Sequence, residues 1–111
     1  MADPTVDPAV FAELQASTGA DFAAELLATF FDEAPPMIAE LRAALAAGSA
    51  DRFRRGAHSL KTNAQTFGAG TLAALARELE QGGLPPDGAA IDALEAAYGQ
   101  AAAALAELAR G

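Results

Sequence analysis

The chain has 111 residues, no cysteine, no tryptophan, a single histidine and a formal net charge of −8. That length fits one domain around one core, and residues 1–111 read as a single helical-bundle domain. The missing cysteine excludes disulfides, a thiolate nucleophile and thiolate metal sites. The negative field of the whole molecule argues against nucleic acid or an anionic membrane as a partner.

Met1 is followed by Asp3 and Asp7 rather than by a basic region and an apolar run, so no targeting segment is read there. No stretch long enough to span a bilayer is free of charge. A soluble, cytoplasmic protein is the expectation, and Met1 together with the lack of a linker at Gly111 suggests a complete chain. Apolar residues make up 52% of the sequence, much of it alanine, the best helix former and a weak core filler.

Nothing reads as a strand; the apolar spacing is helical throughout. Asp7 followed by Pro8 has the form of an N-cap and an N1 proline. A short helix is predicted from there to about Ser17, with Phe11 and Leu14 inward and Gly19 as the stop. In the next segment Phe22, Leu26 and Phe30 form one row, and Leu27, Phe31, Ala34, Ile38, Leu41 and Leu45 the next. Pro35 and Pro36 interrupt that stripe, which predicts either a kinked long helix or two helices meeting there, ending at Gly48. A third helix is predicted from about Ser49 to Phe67, broken by Gly68. A fourth runs from about Ala69 to Gln81 with Leu72, Leu75, Ala76 and Leu79 inward. Gly82, Gly83, Pro85 and Pro86 make a turn. The last segment places Ile91, Leu94, Tyr98, Ala101, Leu105 and Leu108 at alternating three- and four-residue steps, the pattern of an antiparallel bundle. The expected fold is all-α, an up-down-up-down four-helix bundle with a short additional N-terminal helix.

The third helix carries the chemistry. On a wheel of about 100° per residue, Phe53, Gly56, Ala57, Leu60, Ala64 and Phe67 share a narrow, core-facing arc. His58 lies opposite, flanked by Asp51, Arg54, Arg55, Lys61, Thr62 and Gln65. A core histidine belongs on the apolar arc, and this one is not there. A lone histidine without a ligand cluster makes a poor metal site, so no metal is expected. Arg52, Arg54, Arg55 and Lys61 place four of the seven basic residues within ten positions. An ordinary solvated face is the plain alternative; a surface that docks an anion or an acidic partner is the functional one. Neutral imidazole is a nucleophile near pH 7 and can carry a phosphoryl group. Phosphoryl transfer asks chiefly for positioning and charge neutralisation, and Lys61 stands one turn away. No P-loop, Gly-rich nucleotide loop or Mg²⁺-binding carboxylate motif is present.

The run Ala57-His58-Ser59-Leu60-Lys61, followed by Phe67-Gly68-Ala69 and then Leu79-Glu80, resembles the histidine phosphotransfer (HPt) domain of bacterial phosphorelays, and the flanking helices extend that resemblance over the chain. The resemblance implies His58 as phosphoacceptor through Nε2, Lys61 as stabiliser of the phosphoryl oxygens, and Glu80 as a residue orienting the imidazole through Nδ1. It implies a tight turn at Gly68 and a partner-facing surface that includes Arg54, Arg55, Thr62, Gln65 and Arg77. Thr62 departs from the glycine or serine that many members carry after the lysine. The implied partners are response-regulator receiver domains and the receiver domain of a hybrid histidine kinase. The chain would be a phosphocarrier rather than an enzyme, with no cofactor of its own and Mg²⁺ held by the receiver. Few large apolar residues are left for the exposed faces, so a monomer is expected. Other readings are a helical module that binds a receiver or kinase without being phosphorylated, the substrate domain of a chemotaxis-type kinase, and a purely structural bundle.

Overall fold

The computed structural model describes residues 5–110. The readings made on Met1, Asp3 and Gly111 lie outside the described residues. Five helices follow in chain order: α1 (Pro8–Thr18), α2 (Ala20–Ala46), α3 (Ala50–Thr66), α4 (Gly70–Gln81) and α5 (Ala89–Arg110). Helices α2–α5 form the up-down bundle, and α1 packs across α2 and α3.

The helix ends follow local chemistry. The Asp7 carboxylate accepts the Ala9 N–H at 3.0 Å ahead of Pro8 at N1, which satisfies one of the donors a helix start leaves open. The Ser49 hydroxyl accepts from the Arg52 N–H at the start of α3. The Asp87 carboxylate accepts from the Ala89 N–H at the start of α5. Gly68 separates α3 from α4 at φ +73°, and its carbonyl accepts the Asp7 N–H at 2.8 Å. A β-carbon at Gly68 would stand 2.8 Å from both the Asp7 carbonyl oxygen and Val10 Cβ. This glycine therefore does two things: it turns the chain and lets the start of α1 lie directly on the α3–α4 connection.

Pro35 and Pro36 do not divide α2, which runs as one helix through both. Proline at 35 removes the donor that would reach the Phe31 carbonyl. The Tyr98 hydroxyl of α5 lies 3.4 Å from that oxygen and donates to it. Both prolines are on the exposed side of α2, so their rings do not disturb the packing.

The core runs the length of the bundle: Phe30, Ile38 and Leu41 of α2, Phe53 and Leu60 of α3, Leu72 of α4, and Ile91, Leu94 and Leu105 of α5. Phe30 stacks on Phe67 at 5.1 Å between ring centroids and meets the edge of Tyr98 at 5.8 Å. One row of the expected stripe differs. Phe22 is 50% exposed, and the buried residue at this end of α2 is Ala23, about 100° further round the helix. At the other end Ala44 is buried and Leu45 only partly so. The arc that faces the core thus winds slightly away from the largest side chains at both ends of α2. No helix among the described residues is long and apolar enough to cross a membrane.

Candidate functional site

Helix α3 packs most extensively on α4 and next on α2, with Phe53, Ala57, Leu60 and Ala64 buried between them. Those four contacts fix the rotation of α3 and leave its opposite face in solvent. His58 projects from the middle of that face, with its side chain 56% exposed. The Thr62 hydroxyl, one turn on, donates back to the His58 carbonyl at 3.1 Å. Gln65 continues the same exposed row.

Glu80 comes from α4, twenty-two residues away. Its side chain is 16% exposed, held in the α3–α4 seam. One carboxylate oxygen, Oε2, lies 2.5 Å from His58 Nδ1, and the other, Oε1, accepts from Lys61 Nζ at 2.7 Å. Lys61 is 19% exposed at the same seam. Glu80 therefore stands between an imidazole and an ammonium, one oxygen to each. The hydrogen bond from Lys61 is the largest influence holding its carboxyl below the ordinary 4.5; burial opposes it, and the His58 hydrogen bond adds to it. An ionised carboxylate can only accept, so the shared proton on this contact belongs to Nδ1. In the neutral imidazole that leaves Nε2 with the lone pair.

The basic island around His58 is largely compensated. Arg52 donates from Nε and Nη2 to Glu40 Oε1, at 2.9 and 2.7 Å. Arg54 and Arg55 share Asp51, at 2.8 and 3.1 Å, and these two cations hold that carboxyl below its ordinary 3.8. Lys61 is taken by Glu80. The sequence shows Asp51 as the sole acid near the island; Glu40 and Glu80 arrive from neighbouring helices. Glu40, Arg52, Arg55, Gly56 and Ser59 line an open cleft of about 240 Å³ between α2 and α3, beside the His58 face. Glu40 is the residue of this region that sequence reasoning misses. The available signal was the antiparallel register of α2 and α3, in which a β-carbon at Gly56 would meet Leu41 Cδ2 at 3.1 Å.

The structure thus brings His58, Lys61 and Glu80 into one contact set, with Thr62 hydrogen-bonded to it. It places Gln65 along the same exposed face and Arg54 and Arg55 at the Asp51 end of α3. Arg77 is exposed on α4, one turn before Glu80. Gly68 is structural, as described above. Among the described residues no three His, Asp or Glu side chains gather as a metal site would require.

Comparison with known proteins agrees with the geometry. The family described as Hpt domain matches residues 25–104. The crystal structure of histidine-containing phosphotransfer protein B (HptB) from Pseudomonas aeruginosa PAO1 superposes with a TM-score of 0.90 at 30% identity, covering 98% of this chain and 97% of that one. Curated protein sequences give no match.

Proposed function

The chain belongs to the Hpt domain family and has a phosphotransfer role in a phosphorelay; on that premise we propose that His58 is its phosphoacceptor. The observation that supports this reading is the Nδ1–Glu80 contact on a half-exposed imidazole, an arrangement in which Nε2 would be free to act as the nucleophile.

The Nε2 lone pair attacks the phosphorus of an aspartyl phosphate on a receiver domain. The N–P bond forms, the acyl P–O bond breaks, and the receiver's aspartate leaves as carboxylate. The imidazole becomes cationic with its proton kept on Nδ1, facing the Glu80 carboxylate. In the return step the N–P electrons go back to Nε2 and the phosphoryl group passes to a second receiver. Glu80 is a positioning residue: it fixes the ring and its tautomer and offsets the developing positive charge. Lys61, one turn along α3, would divide its donors between Glu80 and the phosphoryl oxygens.

The receiver supplies Mg²⁺ and the acidic pocket, so this chain is a phosphocarrier that needs no cofactor of its own. Donor and acceptor would be receiver domains, one of them on a hybrid histidine kinase, meeting a monomer in the cytoplasm. Arg54, Arg55, Thr62, Gln65 and Arg77 would face them over a small, salt-sensitive interface.

Incubation with a labelled phospho-receiver and Mg²⁺ tests the reading. Wild type should take up acid-labile, base-stable label. His58→Ala should take up none while staying folded, losing no more than about 1–3 kcal/mol, the scale of its hydrogen bond to the Glu80 carboxylate. Binding of the receiver without labelling would instead identify a module that regulates its partner by contact alone.

A further inference from the structure

Resting on that reading, we propose that Arg77 anchors the receiver, pairing with a carboxylate on the rim of the receiver's phosphorylation pocket and so setting which receivers dock.

Three observations carry this. First, Arg77 is the one cation among the described residues with no carboxylate against it: Arg42 is held by Asp92 and Glu95, Arg52 by Glu40, Arg54 and Arg55 by Asp51, Lys61 by Glu80, and Arg110 by Glu107. A guanidinium already in an ion pair gives up that partner when it binds another; Arg77 gives up only water.

Second, Arg77 is in the right place. Glu80 reaches α3 at His58 and Lys61, and the two helices run antiparallel. Three residues back along α4 is about 4.5 Å of rise, which sets Arg77 level with Thr62. Around α4 the buried arc runs through Leu72, Ala73, Ala76 and Leu79. Glu80 stands at the α3 edge of that arc, and Arg77 lies about 60° beyond it on the same side. Arg77 therefore flanks the exposed His58–Thr62–Gln65 row from the neighbouring helix.

Third, the charge of the molecule is polarised. Residues 1–41 hold eight of the fifteen carboxylates and none of the seven cations, so the whole formal −8 belongs to them, and residues 42–111 are neutral in sum. An acidic receiver is repelled by α1 and the first part of α2. The segment that carries His58 is neutral in sum, and there the unpaired guanidinium of Arg77 offers a planar two-pronged donor for a carboxylate.

The test measures transfer rate against receiver concentration, using a panel of purified receiver domains phosphorylated with labelled acetyl phosphate. For the receiver that wild type accepts fastest, Arg77→Ala should raise the half-saturating concentration about tenfold, with the maximal rate within about twofold of wild type. Arg77→Glu should raise it further, and reversing the matching receiver carboxylate to lysine should restore it. The salt dependence should flatten in Arg77→Ala. Arg110→Ala, at the far end of α5, should behave as wild type. Unchanged half-saturation in Arg77→Ala, with wild type labelled normally, overturns the anchor and leaves the phosphocarrier reading standing. A fall in maximal rate alone also overturns it, since Arg77 would then act on the phosphoryl group. Absence of label on wild type from every receiver removes both.

Discussion

The hydroxyl of Tyr98 donates to the carbonyl oxygen of Phe31, the acceptor that Pro35 leaves without its helical donor. A residue on α5 thereby repairs a defect in α2, and the contact sits beside the Phe30–Tyr98 ring pair. Desolvation is the main cause raising the phenol above its ordinary 10.0, with the nearby Asp32 charge adding to it. A raised acid is one that the fold keeps neutral. Its contribution is fully present below pH 10 and is lost as pH rises through the folded value. Tyr98→Phe should cost about 1 kcal/mol, the ordinary value of one intramolecular hydrogen bond. In a Pro35→Ala background the amide N–H of residue 35 can serve Phe31 instead, so the same substitution should cost less. A double-mutant cycle by denaturant unfolding measures that coupling, and equal costs in the two backgrounds would refute the repair.

Phe22 and Phe30 lie on one helical row in the sequence and should respond oppositely to truncation. Phe30 is buried against Phe67 and Tyr98; Phe30→Ala should lose about 3–5 kcal/mol through lost contacts and the cavity left behind. Phe22 is half exposed, so Phe22→Gln should stay within about 0.5 kcal/mol of wild type. Thermal unfolding of the two variants checks both, and a large loss at Phe22 would mean that its ring is covered in solution.

These residues also show what was legible in the sequence. Three- and four-residue spacing located all five helices, because burial on one helical face writes that period directly. Asp7-Pro8, Gly19 and Gly68 marked boundaries because caps and left-handed turns need particular residues. His58 was readable as exposed because its angle from Phe53, Leu60 and Ala64 depends on α3 alone. Ion pairing was not readable. Glu40 and Glu80 are distant in sequence from Arg52 and Lys61, and only the lateral packing of helices joins them. The sequence left open whether α2 runs on through its prolines or divides there, since the compensating donor comes from α5.

Gly68 and Gly19 both have positive φ, at +73° and +92°, yet alanine should be costlier at one of them. At Gly19 a β-carbon would meet nothing within 4 Å, so Gly19→Ala bears the backbone penalty alone, about 1–3 kcal/mol for φ +92° with ψ 145°. At Gly68 a positive-φ penalty is joined by overlap with the Asp7 carbonyl and Val10. Neither atom is the free end of a flexible chain, so α1 must lift. Gly68→Ala should be the more destabilising by at least about 1 kcal/mol, with faster amide exchange at Asp7, whose N–H bonds to the Gly68 carbonyl. Equal losses at the two sites would show that α1 does not press on the turn.

Glu80 links the acid response of the fold to the site itself. Lys61 is the chief cause of its lowered pKa, with His58 adding and burial opposing. A carboxyl lowered on folding contributes stability that is present above its ordinary 4.5 and is lost as pH falls through the lower folded value. The α3–α4 seam should therefore hold through the ordinary carboxylate range and loosen only below it. Lys61→Met removes the main cause and leaves burial, which favours the protonated form. The Glu80 titration should then move upward, and the acid loosening with it. A protonated Glu80 no longer presents a carboxylate to Nδ1, so phosphoryl transfer in Lys61→Met should fall off at a higher pH than in wild type, beyond any loss in its maximal rate. Carbon-detected NMR of the Glu80 carboxyl, run beside the pH profile of transfer, follows both. If the carboxyl titrates at the same pH with and without the lysine, Lys61 does not hold Glu80 ionised, and the tautomer of His58 must be set by something other than this pair.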